Sequence, residues 1–268
     1  MISIIFFGSF QHYSVQVLDR LHQSPRFKIS AIITTPPRPG NRGQITPTPV
    51  FSYAQTHRLP LFPLENLDQI PPVERPDFII VAGFGRLLDK QWLNFPKTMA
   101  LNLHPSLLPA YPGRFPAEWA ILRDETQTGV TLIKMSAKFD AGDIVTQKSI
   151  PILPTDTRST LYHQLYDLGA KLIIQTLSRP ITSRPQPAGK FFYARQLSRD
   201  DGFLAWDKFI DPASRLLLDK MIRALHPWPG VWTLTPKNKR LKIISLNPTT
   251  IQLEGKKPTL FTSPLRFG

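Results

Sequence analysis

Two apolar, β-rich runs near the N-terminus, separated by a helical pattern, constrain the fold more than any other feature. The runs are ISIIFF (2–7) and KISAIITT (28–35), and both are short enough to be strands. Between them, Val15, Leu18 and Leu21 recur at a spacing that puts them on one helical face. A strand, a helix and a second strand in this order predict a βαβ unit, in which the two strands lie parallel in one sheet.

The same alternation continues along the chain. FIIVAGFG (78–85) and TMALNLH (98–104) predict two further buried strands, and GVTLIKMS (129–136) and DIVTQKSIPI (143–152) two more. Helices are predicted for the stretch that begins at Pro116 and for residues 158–178. We therefore expect an open, doubly wound, Rossmann-like α/β sheet. Because no GxGxxG motif follows the first strand, a dinucleotide site is not predicted.

The amino-acid composition of the sequence changes after residue 178. A stretch rich in proline, basic and polar residues follows, then a helix capped by Asp211, and then short β-runs with turn residues between them. We predict a catalytic-type α/β domain over 1–178, a linker over 179–200 and a small, basic, β-rich, barrel-like domain over 201–268.

Composition narrows the function classes. The chain has no cysteine, so disulfides and thiolate chemistry are excluded. No run reaches the roughly 20 apolar residues of a membrane helix, and the N-terminus has no basic region before its apolar run, so we expect a cytoplasmic protein without a signal peptide. The net charge is +14, and residues 181–268 hold 15 basic but only 6 acidic residues. A polyanion such as a nucleic acid is one explanation, and a basic surface without a partner is the other.

The strand end LNLHPSLLPAYPG (101–113) carries the candidate chemistry. Asn102 and His104 are two positions apart and therefore share one face of the strand. Asp140 follows in the turn KFDAGD, where Gly142 is expected to supply backbone freedom. An amide to stabilise an oxyanion, an imidazole to handle protons and a carboxylate to orient the imidazole suit acyl transfer, although spacing alone does not bring Asp140 to His104.

The motifs NLHPSLLPAYPG and GVTLIKMSAKFDAGDIV resemble the signature of the 10-formyltetrahydrofolate-dependent formyltransferases. The resemblance implies 10-formyltetrahydrofolate as co-substrate, Asn102, His104 and Asp140 as catalytic residues, and folate contacts from Ser106, Leu107, Leu108 and Pro109. It also extends over the loop after the second strand and over HPWPGVW and LEGKKP, which are similar to family members that formylate initiator methionyl-tRNA. That likeness implies tRNA contacts from Arg42 and Arg38, and the basic C-terminal segment is expected to meet phosphate through Lys237, Lys239 and Arg240. We expect a monomer. No metal is expected, since the histidines form no ligand cluster.

The sequence departs from the family pattern at several places. It has PGRFP (112–116) where the family usually has Arg-Gly-Ala-Ala-Pro, its first turn is GSFQHY, and its C-terminal domain is shortened. Two alternatives therefore stay open beside a tRNA formyltransferase. One is an N-formyltransferase of the same family that acts on an amino-sugar nucleotide, and the other is a catalytically weakened, RNA-binding relative.

Overall fold

The computed structural model of the protein describes residues 1–39 and 44–263. The strands are Ile2–Phe7 (β1), Phe27–Thr34 (β2), Arg38–Pro39 (β3), Ile45–Thr46 (β4), Leu61–Pro63 (β5), Phe78–Ala82 (β6), Met99–His104 (β7), Gln127–Lys134 (β8), Ile144–Pro151 (β9), Val231–Leu234 (β10), Arg240–Leu246 (β11), Thr249–Leu253 (β12) and Thr259–Leu260 (β13). The α-helices are Gln11–Gln23 (α1), Pro49–Thr56 (α2), Lys90–Asn94 (α3), Pro116–Leu122 (α4), Arg158–Thr176 (α5), Trp206–Ile210 (α6) and Arg215–Leu225 (α7).

The described chain divides into two compact units, and each draws on separate stretches of sequence. The first unit contains Met1–Arg114, Gln127–Pro151 and Tyr162–Tyr193. The second contains Phe115–Thr126, Ile152–Leu161 and the described residues from Ala194 onward. The predicted boundaries at 178 and 200 remain predictions.

A seven-stranded sheet with the order β5-β2-β1-β6-β7-β8-β9 forms the centre of the first unit. Pairing is parallel from β5 through β7 and antiparallel from β7 to β9. The parallel strands are nearly continuous apolar runs, as expected for a sheet buried on both faces. Nine residues, 135–143, join β8 to β9, which is enough for an antiparallel hairpin but fewer than a parallel crossover requires.

Aromatic and helical packing fixes the central strands. The ring of Phe7 on β1 meets Phe84 and Trp92 edge to face, with centroids 5.2 Å and 4.9 Å away. Helix α5 packs against β7 so closely that a Cβ on Gly169 would lie 2.4 Å from a methyl carbon of Leu103. A glycine at 169 therefore allows the helix to sit directly against the strand that carries Asn102 and His104.

The second unit contains the small antiparallel sheet β10-β11-β12-β13 together with α4, α6 and α7. Before α7, the Asp211 carboxylate accepts a hydrogen bond from the Ala213 backbone N–H, and a 3-10 turn at Pro212–Ser214 leads into the helix. The four strands pair in one line from first to last, which is an open meander among the described residues and not a closed barrel.

The predicted α/β sheet and the β-rich C-terminal unit are both confirmed. The βαβ unit is β1, α1 and β2 with parallel strands. The sequence prediction missed α2, which begins at Pro49 after a Thr48 side chain that accepts from the Phe51 N–H. That helix follows directly on a proline- and glycine-rich stretch, and the turn signals there hid it.

Candidate active site

The sheet register places Asn102 and His104 at the carboxyl end of β7. Asn102 lies opposite Val81 of β6 and Ile133 of β8, and His104 lies opposite Thr131. Ligands bind beyond the carboxyl ends of the strands in open α/β sheets. Asn102 is half-buried, and within residues 1–39 and 44–263 its side-chain amide has no hydrogen-bond partner. That amide is thus available to donate to a bound molecule.

The structure brings Asp140 to His104, which the sequence alone did not establish. Oδ1 of Asp140 lies 3.3 Å from Nδ1 of His104, and both side chains are almost fully buried. The second carboxylate oxygen accepts a 2.8 Å hydrogen bond from the backbone N–H of Gly113. The other ring nitrogen of His104, Nε2, is 3.0 Å from the backbone carbonyl oxygen of Tyr111. Since both partners of the ring are acceptors, the doubly protonated imidazolium satisfies them together.

The electrostatics of the pair favour that charged form. Burial is the largest influence on His104 and by itself lowers its pKa, but the charge and hydrogen bond of Asp140 and the Tyr111 carbonyl outweigh it, so the pKa is raised overall. For Asp140, burial is the largest influence and raises the pKa. The charge of His104, the His104–Asp140 hydrogen bond and the hydrogen bond from the Gly113 N–H together outweigh burial, so the pKa of Asp140 is lowered overall. The two groups form a buried ion pair at the strand end.

The turn that carries Asp140 has an unusual backbone. Asp140 has a φ of 51°, in the left-handed region that aspartate tolerates better than most residues. We expected Gly142 to supply this torsional freedom, but its φ is not in that region. A Cβ at 142 would instead lie 1.8 Å from the Lys134 carbonyl oxygen, so glycine is needed there for close approach.

Residues 106–109 form a loop held from the sheet beneath. The Thr131 hydroxyl donates to the Ser106 carbonyl over 2.6 Å and accepts from the Leu108 N–H over 3.0 Å, while the Gln147 amide donates to the Leu108 carbonyl over 2.6 Å. The Ser106 hydroxyl is turned inward, to the carbonyl of Ala110 at 2.7 Å.

The four residues expected to contact folate differ in accessibility. The Leu108 side chain packs with Ile133 and Ile144 in a small apolar cluster. Ser106 is also buried, whereas Leu107 and Pro109 are half-buried. Leu107 and Pro109 are therefore the side chains of this loop with surface to offer a ligand, and Ser106 and Leu108 hold the loop in shape.

The basic residues expected to contact tRNA differ in exposure and in the groups they contact. Arg38 forms an exposed ion pair with Glu65 at 3.2 Å, and Arg42 lies outside the described residues. Lys237 and Lys239 are exposed in the turn between β10 and β11, in which the Thr235 N–H donates to the Lys239 carbonyl. The Arg240 guanidinium, in contrast, lies 4.9 Å from the centroid of the Trp232 ring and is part of the packing of its own unit.

Several contributors to the site were not predictable from residue type. Tyr111 acts through its carbonyl and Gly113 through its N–H, and backbone groups leave no signal in a sequence. Thr131 and Gln147 are aligned only by the register of β8 and β9.

Among the residues that the structure describes, no group of three or more His, Asp or Glu side chains is arranged to hold a metal ion. In that same part of the chain, no helix is both long and apolar enough to cross a membrane.

Comparison with known proteins defines the class. The sequence pattern of the family described as Formyl transferase matches residues 2–177, and that of Formyl transferase, C-terminal domain, matches residues 196–263. The chain belongs to the formyl transferase family.

Individual relatives within that family have names that state a narrower activity than the family description does. A methionyl-tRNA formyltransferase from Roseiflexus castenholzii is 36% identical over 90% of this chain and 78% of its own length. One from Enterococcus faecalis is 34% identical over 93% of this chain and 80% of its own. Among solved structures, an N-formyltransferase from Helicobacter canadensis, in complex with folinic acid and dTDP-3-aminofucose, has the same fold with a TM-score of 0.65 and 20% identity, over 93% of this chain and 87% of that one.

Proposed function

We propose that this protein transfers the formyl group of 10-formyltetrahydrofolate to the α-amine of initiator methionyl-tRNA. The observation that carries the proposal is the buried His104–Asp140 ion pair at the end of β7, beside the Asn102 amide, which has no hydrogen-bond partner among the described residues. The naming of the tRNA substrate is supported by relatives of 34–36% identity that cover most of this chain. Such an activity belongs in the cytoplasm, where translation is initiated, and we expect a monomer.

The proposed reaction is an acyl transfer without redox change. The free amine has a pKa of about 8, so a useful fraction is neutral and nucleophilic without a strong base. It forms a bond to the formyl carbon, the carbonyl electron pair moves to oxygen, and the resulting tetrahedral species collapses with cleavage of the bond to N10. The amine loses one proton and N10 gains one, so that atoms and charge balance.

The roles of the three side chains follow from their environment. The Asn102 amide donates to the oxygen that becomes negative, and the imidazolium of His104 stabilises the same charge from within a buried site. Asp140 keeps His104 charged and oriented. Because Nε2 of His104 is bonded to the Tyr111 carbonyl, proton delivery to N10 requires that contact to give way to substrate or to a bridging water.

The folate contacts are proposed for the loop 106–109. Leu107 and Pro109 would supply apolar surface, while the inward hydrogen bonds of Ser106 and Leu108 keep the loop in position. Exposed Lys237 and Lys239 would bind tRNA phosphates, as would Arg38 and Arg42. For Arg240, the guanidinium would reach phosphate from its place over the Trp232 ring.

The test is to incubate the purified protein with 10-formyltetrahydrofolate and to offer it methionyl-initiator tRNA and amino-sugar nucleotides in parallel. Formylmethionine, with no formylated sugar, supports the proposal. Formylated sugar alone would support the alternative of a sugar N-formyltransferase. Tight tRNA binding without folate binding and without any formyl product would support the weakened RNA-binding relative.

A further inference from the structure

The segment that follows α5 does not leave the first unit at once. Arg184 and Ile144 exchange backbone hydrogen bonds of 2.8 Å and 2.9 Å, so residue 184 pairs with the beginning of β9. The Arg184 guanidinium also lies 3.4 Å from Oε1 of Gln147, whose amide nitrogen holds the 106–109 loop. A stretch predicted as a plain linker thus lies against the elements that build the site.

Two residues further on, Gln186 reaches the turn that carries Asp140. Its side-chain nitrogen donates to the carbonyl oxygen of Asp140 over 2.6 Å and to that of Gly142 over 2.8 Å. A primary amide has two N–H groups, and each of the two carbonyls takes one. Gln186 stands between Pro185 and Pro187, whose rings restrict the backbone on both sides of it.

These two hydrogen bonds hold the backbone at the residue of the turn that has a left-handed conformation. Asp140 has a φ of 51°, and its carboxylate must face Nδ1 of His104 and the Gly113 N–H at the same time. At the base of the turn, the Lys134 N–H donates to the Asp143 carbonyl over 2.9 Å. The Gln186 side-chain amide adds two further hydrogen bonds to the same turn, at Asp140 and Gly142.

We propose that Gln186 is a positioning residue for formyl transfer: by binding the Asp140 and Gly142 carbonyls, it fixes the turn so that the Asp140 carboxylate stays against His104. This inference rests on the proposed function and adds to it a residue from the connecting segment. Gln186 touches neither reacting group directly and acts only through Asp140.

The variants for the test are Gln186→Met, which keeps the length of the side chain without its N–H groups, and Gln186→Glu, whose carboxylate is repelled by the two carbonyl oxygens. The matched control is Ser183→Ala, a change at an exposed position in the same segment. Thermal unfolding by circular dichroism first identifies which variants are folded at the assay temperature, and either Gln186 variant suffices for the test.

We expect kcat to fall about 10- to 100-fold in the Gln186 variants, because small displacements of catalytic groups have effects of that size. The KM values for both substrates should change less than about twofold, because Gln186 binds neither substrate. In the free full-length protein, the NMR titration of the His104 ring should move to lower pH, since Asp140 is the charged group placed against it. In an Asp140→Asn background, Gln186→Met should cause little further loss, because residues that act as one unit are not additive.

Three results would overturn the inference: a folded Gln186→Met protein with the wild-type kcat and His104 titration, an equal loss in Ser183→Ala, or a loss that adds fully to that of Asp140→Asn. The NMR titration requires no formyl transfer. A wild-type protein that makes no formylmethionine, but whose His104 titration still responds to Gln186, would therefore contradict the proposed function and leave the positioning role supported.

Discussion

Replacing Asp140 with asparagine removes a charge from the site while keeping its shape. The asparagine oxygen still accepts from the Gly113 N–H, and the new amide faces Nδ1 of His104. A neutral imidazole protonated on Nε2 satisfies both that amide and the Tyr111 carbonyl. The substitution therefore converts a site that favours imidazolium into one that favours neutral imidazole, with little change in packing.

The distance sets the size of the effect. Opposite unit charges 3.3 Å apart attract by about 5 kcal/mol at an effective dielectric constant of about 20, and burial of the two groups offsets several kcal/mol of this attraction. If the charged ring stabilises the transition state as an oxyanion donor does, kcat should fall about 100-fold, equivalent to about 3 kcal/mol. The KM values should change little, because the folate loop is untouched.

The assay is single-turnover formylation over a pH series, expressed as the ratio of variant to wild type so that titration of the substrate amine cancels. The ratio should fall as the pH rises above the His104 pKa of the variant, which burial alone lowers, because the wild-type ring stays charged until the pH reaches its raised pKa. A variant with the wild-type rate and pH profile would refute the reasoning.

Stability gives an independent check with a definite sign. The Asp140 contribution is present above its unfolded pKa of about 3.9 and is lost as the pH falls through the lowered folded pKa. The His104 contribution is present below its unfolded pKa of about 6.5 and is lost as the pH rises through the raised folded pKa. The stability difference between wild type and Asp140→Asn in urea should therefore be largest between about pH 4 and 6.5 and smaller on either side.

Three further predictions concern the site and its surroundings. Asn102→Ala should lower kcat about 100-fold, because the amide is assigned to the developing oxyanion. The free energy of unfolding in urea should change by less than about 1 kcal/mol, because the amide makes no hydrogen bond within the described part of the protein. A larger loss of stability would contradict the assignment of this amide to the substrate. Gly142→Ala should cost about 3 kcal/mol of unfolding free energy because its Cβ meets the Lys134 carbonyl, whereas Gly255→Ala, with open space around it, should cost about 1 kcal/mol; equal losses would rule out the close-approach explanation. Changing Lys237 and Lys239 to glutamate should reduce the dependence of log K on log salt for tRNA by about two, as measured by filter binding, and an unchanged slope would exclude these lysines from phosphate contact.

The sequence was most informative where one residue type or one period decides the structure. The β-rich runs and the helical spacing of Val15, Leu18 and Leu21 predicted the βαβ unit correctly, because the pattern of buried faces is local. Asn102 and His104 were placed on one strand face for the same reason. The resemblance of the strand-end motifs to formyltransferases was sufficient to predict the family, which the comparison with known families confirmed.

Other features depend on contacts between residues that are not neighbours in the chain. The role of Gly142 was attributed to torsion and proved to be an approach to the Lys134 carbonyl, a distance that no local pattern encodes. The stretch around Gln186 was predicted to be a linker because proline and polar residues signal loops, yet its hydrogen bonds hold the Asp140 turn. A compositional signal gives the absence of regular structure and does not say what the segment binds.

The sequence by itself determined six of the seven strands of the large sheet, all except β5, and it determined which residues face the open end of β7 and which chemical groups are present there. Only the tertiary structure decided that the Asp140 carboxylate, 36 positions away, lies 3.3 Å from the His104 imidazole. The fold also decided that the Tyr111 carbonyl contacts the imidazole and that the Gly113 N–H donates to the carboxylate. The physical reason is that strand periodicity is set by bonds between neighbours in the chain. The charge state of a buried histidine is set by whatever the fold brings within a few ångströms of it.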